Sequence, residues 1–155
     1  MTGAASHSHR HKTGFLHNHS LTIAAVLILL AWILLYVFSN PSTHIGSFFG
    51  NAIADWTGTV VMILATKYLY EKGSAESRTL PKSILSPALE WVRDHSLSVF
   101  LVVTGVAWVA AYARMDSEGK WGQVVGNIVS EWTQIFGVVV MTKKLIERHS
   151  KESKR

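Results

Sequence analysis

The stretch "LTIAAVLILLAWILLYVF", Leu21 to Phe38, decides how the rest of the chain is read. It runs for eighteen residues without a charge, and at 1.5 Å per residue that length comes close to the roughly 30 Å of a bilayer's hydrocarbon core. "LSVFLVVTGVAWVAAYA", Leu97 to Ala113, is nearly as long and equally uncharged. Two further apolar stretches, Phe48 to Tyr70 and Trp121 to Ile146, are each interrupted by an acid and by lysine. Such stretches need protein neighbours in lipid, because an isolated charge there is costly. The expectation is an all-α membrane protein with four transmembrane helices. Composition agrees, with 48% hydrophobic and 16% charged residues in 155, and the apolar residues gathered into runs.

A basic region precedes the first run, as in a secretory signal peptide. The run is too long for an ordinary signal core, and Phe38, Ser39, Asn40 and Pro41 read as a loop with no small-residue cleavage site, so it is expected to be retained. The chain has no cysteine, which excludes disulfides, thiolate nucleophiles and thiolate metal sites. Lys and Arg concentrate in the amino-terminal tail, the central connection and the carboxyl-terminal end, whereas the other two connections hold only Arg114 and Lys120. Positive charge favours the cytoplasmic side. The expected localisation is therefore the inner cell membrane, multi-pass, with both termini cytoplasmic. The basic balance is a topology signal with some attraction for anionic lipid, and no basic domain for a nucleic acid is present.

The chain repeats itself. Shifted by 76 residues, positions 19–78 align with 95–154 without a gap, and 19 of the 60 pairs are identical. "HSL" meets "HSL", Trp32 meets Trp108, Tyr36 meets Tyr112, Lys67 meets Lys143, and "SAES" meets "SKES". A repeat of two spans implies tandem hairpins inserted with the same orientation and related by an axis along the membrane normal. The expected organisation is a disordered His-rich tail at 1–18, a first hairpin at 19–72, a linker with a short interfacial helix at 73–94, a second hairpin at 95–148 and a basic tail at 149–155. In the linker Ser86 can cap and Pro87 can open that short helix.

"GNAIADWTGT" and "GNIVSEWTQI", starting at Gly50 and Gly126, place an acid in register within the second helix of each repeat. Asn51 with Asp55, and Asn127 with Glu131, stand one turn apart, so amide and carboxylate share a face. Each acid lies twelve residues from Lys67 or Lys143, about 18 Å deeper if those lysines sit at the surface. Trp56 and Trp132 follow the acids, with an indole N–H that either packs or reaches a carboxylate. Gly46, Gly50 and Gly58, with Gly122 and Gly126, form stripes of small residues that let helix backbones approach closely in lipid. Asp55, Glu131, Asn51, Asn127, Trp56 and Trp132 are the candidate intramembrane polar site.

His7, His9 and His11 alternate in the amino-terminal tail and are the only metal candidates, weak ones without a scaffold. The reading is a pH-sensitive cationic tail and no cofactor. His19 and His95 stand at equivalent helix starts, as caps or anchors. No phosphate-cradling loop, paired-histidine zinc motif or nucleophile elbow occurs, so no enzymatic activity is expected.

The pattern Asn, two residues, small residue, acid, aromatic at Asn51–Trp56 and Asn127–Trp132, with "HSLS" at His95–Ser98 and "YEKGSAESR" at Tyr70–Arg78, resembles a family of small, uncharacterised bacterial integral membrane proteins built from two tandem hairpins. The resemblance covers most of the chain outside the histidine tail, and it implies a fold but no activity. Ala54 stands where that family has Ser, which Ser130 keeps, and the loop between paired helices is shorter here. Two functions fit the residues: a structural or partner-binding membrane protein, whose partners are the bilayer and a homo-oligomer or another membrane protein, and a proton- or cation-handling subunit using Asp55 and Glu131.

Overall fold

The computed structural model describes residues 15–78 and 86–145. The His7, His9 and His11 tract and the carboxyl-terminal basic tail lie outside those residues. The regular elements of the described residues are all helices: α1 (Phe15–Asn18), α2 (Ser20–Phe38), α3 (His44–Tyr68), α4 (Pro87–Asp94), α5 (Ser96–Tyr112) and α6 (Lys120–Met141). In these apolar stretches the backbone must satisfy its own polar groups, and a helix does so within one segment.

Among the described residues three helices, α2, α3 and α6, are long and apolar enough to cross a membrane. With 17 residues, α5 is shorter. It meets α4 at a 66° bend at His95, and the bent pair reaches spanning length by composition.

The helices are ordered in space as α2, α3, α6, α5, with α3 packed on α2 and on α6, and α5 packed on α6. The central pair therefore carries most of the core, including Ile53, Ala54, Ile128 and Trp132, while α2 leaves Leu27, Leu30 and Leu34 exposed. An apolar outer helix is what hydrocarbon contact requires, since lipid is as apolar as leucine.

Both tight turns are built the same way. The Asn40 side-chain oxygen accepts from Ser42 N–H at 2.9 Å, and Asp116 Oδ1 accepts from Glu118 N–H at 3.1 Å, turning the chain through an Asx-type bond at equivalent positions. Thr43 then caps α3, its hydroxyl accepting from Gly46 N–H at 3.1 Å. A side chain at Gly46 or Gly122 would collide with the carbonyl of Asn40 or Asp116. These two glycines thus serve the turn and not a helix–helix seam. Gly50 and Gly126 instead face the rings of Tyr36 and Tyr112 on the neighbouring helix, and Gly58 meets Glu131 and Ile135 across the α3·α6 contact.

Ser86 occupies the position before α4 but makes no capping bond there. Pro87, whose missing N–H needs no partner at a first helical position, marks the start.

Candidate functional site

At the centre, α3 and α6 are tied by their amides: Asn127 Nδ2–H donates to Asn51 Oδ1 at 2.5 Å. The amides thus pair across the helices, where the one-turn spacing anticipated bonds to the acids along each helix. Beside them opens a cavity of about 420 Å³ lined by Ser47, Asn51, Tyr112, Ser117, Gln123 and Asn127.

Deeper along the same pair of helices, Glu131 lies within Coulombic reach of Asp55. Its stem is laid over Gly58, where an added Cβ would come 2.8 Å from Glu131 Cγ. Asp55 itself is exposed, and so are Ser47, Asn51 and Thr59 at four-residue steps on either side of it. The four residues make a polar line on the outside of an otherwise apolar helix, because successive i, i+4 positions share a face. Thr59 satisfies its own hydroxyl by donating to Asp55 O at 3.0 Å, and Thr57 does the same to Ile53 O at 2.7 Å.

Trp132 does not serve the carboxylates. It is buried, its Nε1–H donates to Thr104 Oγ1 at 2.9 Å, and its ring stands edge-on to Trp108 with centroids 6.0 Å apart. The indole therefore fastens α6 to α5. Trp56 is partly buried.

A second polar cluster sits where α3 and α6 end and α5 begins. Residues 69–78, the end of the expected first hairpin and the start of the expected linker at 73–94, pack against the helices here. Tyr70 O accepts from Leu97 N–H at 2.9 Å, and Ser74 Oγ lies 3.0 Å from Thr142 Oγ1. Between them Glu71 is fully buried, with no side-chain exposure. One oxygen lies 2.6 Å from His95 Nδ1 and is also paired with the Lys143 ammonium, and the other accepts from Ser98 N–H at 2.9 Å. Burial pushes this carboxyl's pKa up, but the bonds from His95, Lys143 and Ser98 outweigh it and hold the group below the ordinary Glu range. Nearby, Asp94 accepts from the Arg93 guanidinium at 2.7 and 3.1 Å, with the Lys72 ammonium at 3.7 Å.

His95 is thus an anchor and not a helix cap, since its ring is spent on Glu71 and makes no capping bond. Lys143 is paired with Glu71, its own side chain about a quarter exposed. Sequence reasoning passed over Glu71 as a site residue. A signal was present: Glu71, His95 and Lys143 each have an identical partner 76 residues away, Glu147, His19 and Lys67.

Among the described residues no group of three His, Cys, Asp or Glu side chains is placed to hold a metal ion. No family model, no curated protein and no solved structure matches the chain.

Proposed function

We propose that the chain is a small, non-enzymatic integral membrane protein that assembles with a second copy or another membrane protein through the polar line on α3. In this reading α2, α3, the bent α4–α5 pair and α6 are four spans. They form two tandem hairpins about an axis along the membrane normal, with the Glu71 cluster and both termini on the cytoplasmic side.

The carrying observation is the exposure of Asn51, Asp55 and Thr59 on one face of a helix long and apolar enough to span. A carboxylate presented to hydrocarbon costs on the order of 3 kcal/mol at a helix centre. Coverage by a partner's polar groups removes that cost and turns it into specificity for the partner. The test is cross-linking in native membranes from a photoreactive maleimide on Thr59→Cys, with Leu30→Cys on the lipid-facing side of α2 as control. A discrete protein adduct confined to position 59 is the expected result; lipid adducts alone at both positions would overturn the reading.

One observation favours ion handling as a second reading, namely the Coulombic proximity of Glu131 and Asp55 between α3 and α6. Its test is flux in proteoliposomes under proton and cation gradients, with Asp55→Asn and Glu131→Gln expected to abolish any flux while retaining the fold.

A further inference from the structure

Two cavities run into one another along the face shared by α5 and α6. The deeper, of about 270 Å³, lies among Leu101, Gly105, Val109, Val129 and Trp132. The second, of about 430 Å³, reaches the end of α6 among Val99, Val140, Trp91, His95 and Lys143. Val102 and Phe136 line both, so the two make one groove. From Val129 to Val140 it follows α6 for about 17 Å at helical rise, close to half of a hydrocarbon core roughly 30 Å thick. The first repeat carries Leu29, Leu30 and Ile33 on α2 where α5 carries Gly105, Val106 and Val109. The smaller side chains leave room beside α6 that the larger set would take up.

We propose that this groove holds one acyl chain of a phospholipid whose phosphate rests at the Lys143 end. The proposal rests on α6 and the bent α4–α5 pair being spans, and is independent of the α3 contact. Lining chemistry is the first argument. The polar groups deep in the groove donate internally, Thr133 to Ser130 O at 2.6 Å and the Trp132 indole N–H to Thr104 Oγ1 at 2.9 Å. An occupant finds no free donor there, so the part of it that is buried is apolar. The rim is the second argument. Lys143 has three N–H donors, of which Glu71 takes one, and its side chain stays partly exposed next to the exposed Lys144. A phosphate oxygen is the natural acceptor for such an ammonium. Trp91, exposed on α4 with its ring 5.1 Å from that of His95, stands at the same end, as indoles do at headgroup level. Length is the third: a groove one leaflet deep lets the phosphate and the chain be held together.

Native mass spectrometry of the full-length protein, released from nanodiscs of palmitoyl-oleoyl phosphatidylglycerol, is expected to show one lipid retained after all others are stripped. Val102→Phe puts a ring at the junction of the two cavities, on an exposed position of α5, and should lose that lipid; Leu30→Phe on α2 should keep it. No retained lipid in the wild type, or equal retention in both variants, overturns the proposal. The unaltered chain gives a second reading. Phosphatidylglycerol with a diazirine on its acyl chain should label residues 101–109 and 129–136 well above α2, and even labelling overturns the groove as a site. Dioleoylglycerol, which has no phosphate, should not be retained; retention equal to that of phosphatidylglycerol overturns the assignment of the Lys143 end. A photoreactive maleimide on Val106→Cys in native membranes should capture lipid. Capture of protein at position 106 would place a partner helix in the groove and overturn the proposal, whatever is found at position 59.

Discussion

His95 Nδ1 lies 2.6 Å from a Glu71 carboxylate oxygen that is closed off from solvent, so the start of α5 is tied to the segment leaving α3. Lys143 from the end of α6 shares the same carboxylate. Three separate pieces of chain therefore depend on one side chain. A buried anion left without its partners, or partners left without their anion, costs more than the intact cluster contributes.

Glu71→Gln is accordingly expected to lower stability by about 3 kcal/mol, the order seen when one partner of a buried ion pair is removed. Thermal unfolding in detergent micelles measures it. A change below about 0.5 kcal/mol, the ordinary range for surface substitutions, would show that the cluster contributes nothing.

The same carboxylate sets a pH dependence. Its folded-state pKa lies below the unfolded value of about 4.3, so its contribution is fully present above that value and is lost as pH falls through the lower folded pKa. Stability of the wild type should thus fall steeply below about pH 4, and Glu71→Gln should flatten that fall without abolishing it. An identical acid limb in the variant would rule out Glu71 as a contributor.

Equivalent glycines should differ in their tolerance. An added Cβ at Gly50 comes 3.2 Å from Tyr36 Cε2, and one at Gly126 comes 3.0 Å from Tyr112 Cε2. Tyr36 is 1% exposed, and its hydroxyl donates to Lys120 O at 2.5 Å, with Trp121 edge-on to its ring. Tyr112 is 38% exposed at the edge of a cavity and can turn aside. Gly50→Ala is expected to cost about 1–3 kcal/mol, as overpacking of a rigid site does, and Gly126→Ala less than about 1 kcal/mol. Equal losses in parallel unfolding experiments would contradict the difference in freedom of the two rings.

Sidedness is read with cysteines. Ser42→Cys and Ser117→Cys should react with an impermeant maleimide applied outside cells, and Lys72→Cys should react only after permeabilisation. Ser74 is a poor reporter, because it is buried against Thr142 and would be protected on either side. External labelling at position 72 with protection at 42 would invert the topology.

Helix identity was legible in the chain itself. A long uncharged run such as Leu21–Phe38 has one local solution for its backbone hydrogen bonds, and nothing distant is needed to select it. The repeat was equally legible, as were the positions of Asn51, Asp55, Asn127 and Glu131 within their helices, because helical periodicity places a residue on a face from its number alone. Their partners were not. Asn51 bonds Asn127 across 76 positions, Trp132 bonds Thr104 on another helix, and Tyr36 and Tyr112, identical in sequence register, differ in burial, with Trp121 edge-on to the Tyr36 ring and Tyr112 at the edge of a cavity. The Glu71 cluster belongs wholly to the tertiary level: its acid, histidine and lysine lie on segments 24 and 72 positions apart (95 − 71 and 143 − 71). Periodicity speaks only to one helix at a time, and ion pairs between segments form where packing excludes water and leaves each charge only its protein neighbours to satisfy it.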